Sequence, residues 1–313
     1  MDNNSKHTSK SIKSSLMLLL TSFIWGFAFV SQRMGLATMG MHTFNATRFL
    51  LAAFVLLLFI LFTDIKDKKK AIVIGYTKNN KKQRRNLITA GTICGVILAI
   101  ANTLQMAGLQ FTTIGKAGFI TVLYIIIVPL TGIFFKKHIN LSVWVSVMLA
   151  LGGSYLLFIQ EGFSINKGDL LILGCAFLFA AHIMVIDHYT KITDSVRMAF
   201  IQFFVCGVIS MIAMFIFEQP DIKVILSAWL PIAYAGVLSS GVAYTFQFIA
   251  QKNLSAPVAS LIMSMESVFA VLAGWIIFQE SLSVKEILGC VLIFFGILIV
   301  QIPFKNKKIS KQI

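Results

Sequence analysis

Ten apolar runs, each about as long as a bilayer is thick, constrain this chain more than any other feature. A membrane-spanning helix needs about 20 mostly apolar residues, with a range of about 17–25. The runs are Ser15–Gln32, Thr43–Phe62, Leu87–Leu109, Ile114–Phe135, Leu141–Ile159, Asp169–Tyr189, Val196–Phe217, Ala228–Ile249, Leu254–Phe278 and Val284–Ile302. We therefore predict an all-α polytopic membrane protein with ten transmembrane helices.

The composition supports a membrane protein and argues against other classes. Hydrophobic residues make up 58% of the 313 residues and charged residues 12%, whereas soluble domains average about 45–50% and 25%. The formal net charge of +15 lies in short segments between apolar runs, so we expect a lipid bilayer and no nucleic acid as partner. The four cysteines lie singly inside apolar runs, which predicts buried thiols and neither a metal nor a cofactor.

The basic residues predict the orientation of the chain. Segments on the same side as the N-terminus hold 21 Lys and Arg, and the opposite segments hold 4. The positive-inside rule predicts that both termini lie in the cytoplasm. We expect the protein in the cell membrane, that is, the plasma or inner membrane. The apolar stretch Leu16–Val30 is long for a signal peptide and lacks a cleavage site, so we interpret it as a retained first helix.

The two halves of the chain repeat each other. Matching pairs are Trp25 with Phe179 and Arg48 with Gln202, 154 positions apart, then Gln105 with Gln247 and Tyr124 with Glu266, 142 apart. The offset falls by 12 because the Lys-rich loop in the first half is longer. Since each half has five helices, the second half must enter the membrane from the other side, which gives two inverted five-helix repeats with a site near the midplane.

The predicted division of the chain follows from this repeat. Residues 1–14 form a cytoplasmic N-terminal tail, and 15–160 form the first five-helix repeat with its Lys-rich cytoplasmic loop 63–86. Residues 168–302 form the second repeat, and 303–313 form a basic cytoplasmic C-terminal tail. No segment is long enough for a separate soluble domain, and no GxxxxGK[ST] motif indicates direct use of ATP.

Several short motifs give the chain a family resemblance. They are Trp25-Gly26, Arg48-Phe49, Lys116-Ala117-Gly118-Phe119 with Pro129, Gly168-Asp169-Leu170-Leu171, Glu266, and Gln279-Glu280-Ser281-Leu282 with Gly289. Over Leu16 to Ile302 the sequence resembles the EamA-type transporters of the drug/metabolite transporter superfamily. The resemblance implies a secondary transporter that exports amino acids, related metabolites or drugs. The family often has Glu-Pro in the ninth helix, whereas this chain has Glu266-Ser267, which removes the usual cause of a kink there.

Glu266 is the first candidate site residue because it lies near the middle of the ninth run. A charge at this depth costs about 2.5–3.5 kcal/mol even on insertion scales, so it is a functional-site hypothesis. A buried carboxyl can take up and release a proton as a cavity faces each side in turn. The alternative is a structural acid that is hydrogen-bonded to Ser264, Ser267 or a facing helix, so proton coupling stays an open alternative.

Two basic residues lie within runs. Arg48 is roughly 7–8 Å inside the end of the second run, where it either snorkels to the interface or points inward to an anionic substrate group or to Glu266. The family resemblance places an arginine here and favours the inward position. Lys116 lies closer to the end of its run, where snorkelling is expected.

Uncharged polar and aromatic residues complete the candidate set. Gln105 and Gln247 either hydrogen-bond a substrate or hold helices together, and Tyr124 offers a phenol or an aromatic wall. Trp25 and Tyr244 are expected to line the same cavity. His182, with no second ligand at helical spacing, is either packed and hydrogen-bonded or part of a proton path, rather than a metal ligand.

Three functional hypotheses follow. The first is a secondary carrier of a small-molecule substrate that works by alternating access. The second is an intramembrane enzyme for lipid precursors, which would require clustered His, Asp, Ser or Cys, whereas one acid and one histidine lie at depth. The third is a sensor or assembly factor without solute flux. The sequence leaves open the direction of transport, the coupling ion and whether the protein is a monomer or a homodimer.

Overall fold

The computed structural model describes residues 3–66, 81–112, 114–136, 139–158, 165–279 and 283–301. The helices form ten spans, which we number TM1 to TM10 in chain order. TM1 is Asn3–Thr38, TM2 Met41–Lys66, TM3 Lys81–Leu109, TM4 Ile114–Val122 with Tyr124–Phe134, TM5 Leu141–Phe158, TM6 Lys167–Tyr189, TM7 Ser195–Phe217, TM8 Trp229–Ala233 with Tyr234–Tyr244 and Thr245–Gln251, TM9 Ala256–Met263 with Met265–Phe278, and TM10 Val284–Gln301. A short helix, Ile222–Ser227, precedes TM8.

The ten predicted spans are confirmed. Within the described ranges, nine helices are long and apolar enough to cross a membrane, and TM5 is a tenth, shorter apolar helix. Every regular element in this part of the chain is helical. TM1 is longer than its apolar run, because the helix already begins at Asn3 inside the predicted tail.

The packing of the spans follows the internal repeat. TM5 packs on TM10, and TM2 packs on TM7. TM3 contacts TM6 and TM7, while TM8 contacts TM1 and TM2; TM4 contacts TM6, while TM9 contacts TM1. When each span is exchanged for the one five places away, the pairs TM5–TM10 and TM2–TM7 are unchanged, and every other pair becomes another pair named here. This is the packing expected of two inverted five-helix repeats.

Many polar side chains lie inside the bundle beside the apolar core, and many large apolar side chains are exposed on its outer surface. Buried polar residues include Asn45, Gln202 and Ser260, whereas exposed residues of the spans include Phe134, Phe215 and Leu288. This arrangement is typical of a protein whose surroundings are lipid, since polar groups then need partners inside the bundle.

TM4 and TM9 are interrupted at equivalent places. The amide of Ile126 bonds to Leu123 O at 3.0 Å, and that of Ser267 bonds to Ser264 O at 3.1 Å, so both helices tighten to i→i−3 bonding. In TM9 the hydroxyl of Ser264 also donates to Leu261 O. Serine hydroxyls that bond to the preceding turn perturb helices, so TM9 is interrupted although residue 267 is not proline.

TM8 differs from its counterpart TM3. Residues Tyr234–Tyr244 form a π-helix of 11 residues, whereas TM3 is an α-helix throughout. The wider turn lies beside TM1, where the indole nitrogen of Trp25 donates to Ser239 O at 3.1 Å. π-Helical segments are rare and occur frequently at functional sites.

Candidate functional site at the repeat interface

One cavity between the two repeats collects most of the predicted site residues. Its lining is Trp25, Ala28, Phe29, Gln32, Arg48, Phe49, Asn102, Gln105, Thr121, Tyr124, Phe179, His182, Ile183, Ser239, Tyr244, Gln247, Met263 and Glu266. The space among these side chains, open solvent included, is about 650 Å³.

Tyr124 and Glu266, which match across the repeat, meet in this cavity. The phenol of Tyr124 donates a hydrogen bond to Oε1 of Glu266 at 3.2 Å. Each residue lies in the first turn of the second half of its interrupted helix.

Arg48 points inward, as the family resemblance favoured, and is only 3% exposed. Its Nε donates to Asn45 Oδ1 at 3.1 Å and its Nη2 to Asn102 Oδ1 at 2.6 Å. The guanidinium carbon lies 4.4 Å from the ring centre of Phe49. Within the described residues Arg48 makes no ion pair, so the alternative in which it holds the charge of Glu266 has no support in the structure.

The two glutamines matched by the repeat, Gln105 and Gln247, both line the cavity. The amide nitrogen of Gln247 donates to Gln251 Oε1 at 3.0 Å, which lies in its own helix. Its amide oxygen has no partner within the part of the chain that the structure describes. Buried polar atoms are usually satisfied, so this oxygen is a candidate acceptor for a ligand or a water molecule.

Aromatic rings form one wall of the cavity. The rings of Trp25 and Tyr244 lie 4.6 Å apart, and His182 packs edge-on to Tyr244 at 5.9 Å. The Nε2 atom of His182 lies 2.6 Å from Gln202 Oε1. His182 is therefore packed and hydrogen-bonded to TM7, a contact that is compatible with the proton path that the sequence left open.

One predicted residue has no described side chain, and two residues of the lining were not predicted. The backbone of Lys116 is helical, but its side chain lies outside the described residues. Gln32 and Thr121 line the cavity and were not among the candidates. Helical spacing was the available signal, because Gln32 follows Trp25 by seven residues and Thr121 precedes Tyr124 by three, which places each pair on one helix face.

Comparison with known proteins agrees with this architecture. The sequence profile of the EamA-like transporter family matches residues 12–159 and 166–302. An uncharacterised transporter of Archaeoglobus fulgidus is 29% identical over 300 residues, which cover 94% of this chain and 87% of the relative. The uncharacterised transporter YoaV of Bacillus subtilis is 24% identical over 304 residues, which cover 95% of this chain and 100% of the relative.

A solved structure shows the same fold. The crystal structure of a protein with 14% sequence identity aligns with a TM-score of 0.72, covering 92% of this chain and 96% of that chain. At this identity the likeness concerns the fold alone. The match to both repeats, by contrast, establishes the family: the chain belongs to the EamA-like transporter family and is a multi-pass membrane transporter.

Proposed function

We propose that the protein is a secondary carrier that exports small zwitterionic metabolites, such as amino acids, related compounds or drugs with both charges, in exchange for protons. One observation carries this proposal. Arg48 and Glu266 line the same cavity, and each is hydrogen-bonded to neutral partners rather than to the other. The protein thus presents a cation and an acid to one space without pairing them.

A zwitterion would compensate both groups at once. A buried charge without a counter-charge costs several kcal/mol, and the Nη1 nitrogen of Arg48 makes no hydrogen bond to any residue in the described ranges. A substrate carboxylate would accept from Nη1, because arginine suits carboxylate geometry. The substrate ammonium would pair with Glu266 across the cavity.

The same pairing supports exchange with protons. The Glu266 carboxylate cannot hold a proton and pair with an ammonium group simultaneously, so substrate binding releases a proton and proton binding releases the substrate. Alternation of the cavity between the two sides is the mechanism that inverted repeats support. Because protons enter cells down their gradient, such an exchange drives export.

The coupling is tested with purified protein in liposomes. A pH gradient should drive accumulation of a radiolabelled amino acid from a panel, and Glu266→Gln should abolish this accumulation. Ser146→Ala is the matched control, because its buried hydroxyl lies in TM5 and outside the cavity lining. Unchanged gradient-driven uptake by Glu266→Gln would remove the proton role and leave the carrier.

The substrate class is tested by competition. An amino acid should compete better than its methyl ester, which lacks the carboxylate, and better than its N-acetyl form, which lacks the ammonium. Arg48→Gln should abolish the first preference and Glu266→Gln the second. Absence of any solute movement in wild-type liposomes, with a co-purifying partner instead, would favour a sensor or assembly factor.

A further inference from the structure

TM2 and TM7, which belong to different repeats, are joined by polar contacts at both ends. Glu218 follows the last residue of TM7 and accepts hydrogen bonds from the backbone nitrogens of His42 and Thr43, both at 2.8 Å. It also accepts from the Thr43 hydroxyl at 2.6 Å. The first amides of a helix have no partner within the helix, so Glu218 caps TM2 from the other repeat. We call this contact the Glu218 clasp.

An ion pair joins the other ends of the same two helices. The Nη2 nitrogen of Arg197, in the first turn of TM7, lies 2.7 and 2.8 Å from the two carboxylate oxygens of Asp64. Asp64 is in the last turn of TM2. We call this contact the Asp64 clasp. It lies on the membrane face where TM1 begins, the amino-terminal face, and the Glu218 clasp lies on the opposite face.

The two clasps are copies of each other under the internal repeat. Asp64 and Glu218 are 154 positions apart, and so are Thr43 and Arg197. This is the offset that relates Trp25 to Phe179 in the cavity. The symmetry that exchanges the repeats therefore exchanges the clasps, and with them the two faces of the membrane.

The two clasps are far enough apart along TM2 for a small tilt between TM2 and TM7 to break one of them and keep the other. Thr43 and Asp64 are 21 residues apart in one helix, which is roughly 32 Å at 1.5 Å per residue. If TM2 and TM7 hinge at one clasp, a rotation of about 5° separates their far ends by about 3 Å. That displacement breaks hydrogen bonds of this length, while the clasp at the other end stays made.

We propose that the two clasps are the latches of the transport cycle, each holding the cavity closed toward its own face and breaking when the cavity opens there. This inference rests on the alternating access in the proposed function and is independent of the substrate. A clasp stabilises only those states in which the cavity is closed toward the face where the clasp lies. Removing the clasp destabilises these closed states, so the equilibrium shifts toward the state that is open to the same face.

The chemistry of the clasps predicts unequal effects. The side chains of Asp64 and Arg197 are 39% and 26% exposed, and exposed ion pairs contribute little and are screened by salt. Glu218 binds two backbone amides and a buried threonine, and bonds to a charged acceptor are stronger. We expect Asp64→Asn to shift the equilibrium roughly two- to five-fold, and Glu218→Gln to shift it about ten-fold.

A cysteine in the cavity tests the proposal. The reporter is Ala28→Cys, since Ala28 lines the cavity, in a full-length chain whose four native cysteines are replaced by alanine. A membrane-impermeant maleimide is added to one face of oriented vesicles and the labelling rate is measured. Glu218→Gln should raise labelling from the opposite face, and Asp64→Asn should raise it from the amino-terminal face. Added salt should mimic only Asp64→Asn.

Matched variants control for local effects. Asp221→Asn removes a cap within one helix on the opposite face, and Lys191→Gln breaks the local ion pair with Asp187 at the end of TM6 on the amino-terminal face; neither should change labelling. Two further variants replace any clasp variant that folds poorly. Arg197→Gln is expected to reproduce the labelling change of Asp64→Asn, and Thr43→Val is expected to reproduce part of the change of Glu218→Gln.

The outcomes separate this proposal from the proposed function. If the wild-type reporter is never labelled from both faces, alternating access fails and the latches fail with it. If it is labelled from both, but the variants shift labelling to one common face or only lower the melting temperature, the clasps are structural contacts and the carrier remains. Opposite shifts in the two clasp variants support the latches.

Discussion

At the scale of single residues, Asn102 decides where the guanidinium group of Arg48 lies. Its Oδ1 accepts from Nη2 at 2.6 Å, and its own amide is fixed by a bond to Leu98 O at 2.9 Å. We expect Asn102→Ala to raise the KM for transport about ten-fold, because hydrogen bonds to charged groups contribute about 1.5–3 kcal/mol. KM values from liposome uptake would measure this.

The neighbouring Thr103 provides the control for this variant. Its hydroxyl donates to Ala99 O within TM3 and lies outside the cavity lining, so Thr103→Val should leave KM unchanged. Equal KM values for Asn102→Ala and the wild type would show that Arg48 needs no support from TM3 to bind its ligand.

Tyr124 gives a second prediction at this scale. Tyr124→Phe keeps the ring and removes the hydroxyl that donates to Glu266. A hydrogen bond contributes about 1 kcal/mol, so proton-driven exchange should slow roughly five-fold. Tyr155→Phe is the matched control, because Tyr155 lies in TM5 and its side chain is exposed. A normal exchange rate in Tyr124→Phe would assign Glu266 a role without Tyr124.

Sequence reasoning located the cavity residues better than it located their partners. The repeat offsets alone grouped Gln105 with Gln247 and Tyr124 with Glu266, because symmetry fixes depth in the membrane. The bond from Arg48 to Asn102 depends on the rotation of two helices, TM2 and TM3, about their axes. Residue types and spacing do not determine those rotations, so the sequence did not predict the amide partners of Arg48.

At the scale of helices, apolar length predicted the spans but not their irregularities. The predicted seventh run, Val196–Phe217, agrees with TM7 to within one residue. The interruption at Ser264 and the π-helix Tyr234–Tyr244 were not predicted. Serine is common in regular helices, and hydrophobic periodicity hardly changes between α- and π-turns over so few residues, so neither feature leaves a distinct sequence pattern.

Close packing of TM1 against TM9 gives a prediction at this scale. A Cβ atom on Gly26 would lie 2.4 Å from Phe269 Cβ and 2.8 Å from the Ala270 nitrogen. Gly26→Ala must therefore push TM9 away, and overpacking costs about 1–3 kcal/mol. We expect a lower melting temperature in detergent and slower transport, because TM9 carries Glu266.

Gly152 in TM5 is the control for this substitution, since a Cβ atom there would meet nothing within 4 Å. Gly152→Ala should keep or raise the melting temperature, because alanine favours helix over glycine. Equal effects of the two substitutions would show that helix propensity, rather than contact with TM9, determines the outcome.

At the scale of the whole molecule, a symmetric fold carries asymmetric chemistry. The repeat matches Arg48 with Gln202 and Glu266 with Tyr124, so each half supplies one charged group and one neutral counterpart. Two identical halves would place like charges together in one cavity. Divergence of the halves thus yields a cation and an acid in the same cavity while the helix packing of both halves is preserved.

The orientation of the molecule gives the last prediction. Lys223 follows TM7 and Lys252 follows TM8, so the two exposed side chains lie on opposite faces. With 21 basic residues on the amino-terminal side and 4 on the other, the positive-inside rule predicts that Lys252 lies in the cytoplasm. In a chain without native cysteines, an impermeant maleimide added to intact cells should label Lys223→Cys and spare Lys252→Cys. Permeabilised cells should show labelling of both, which establishes that each cysteine is reactive. The reverse pattern in intact cells would place both termini outside; the proton exchange proposed above would still drive export, because the proton gradient sets its direction.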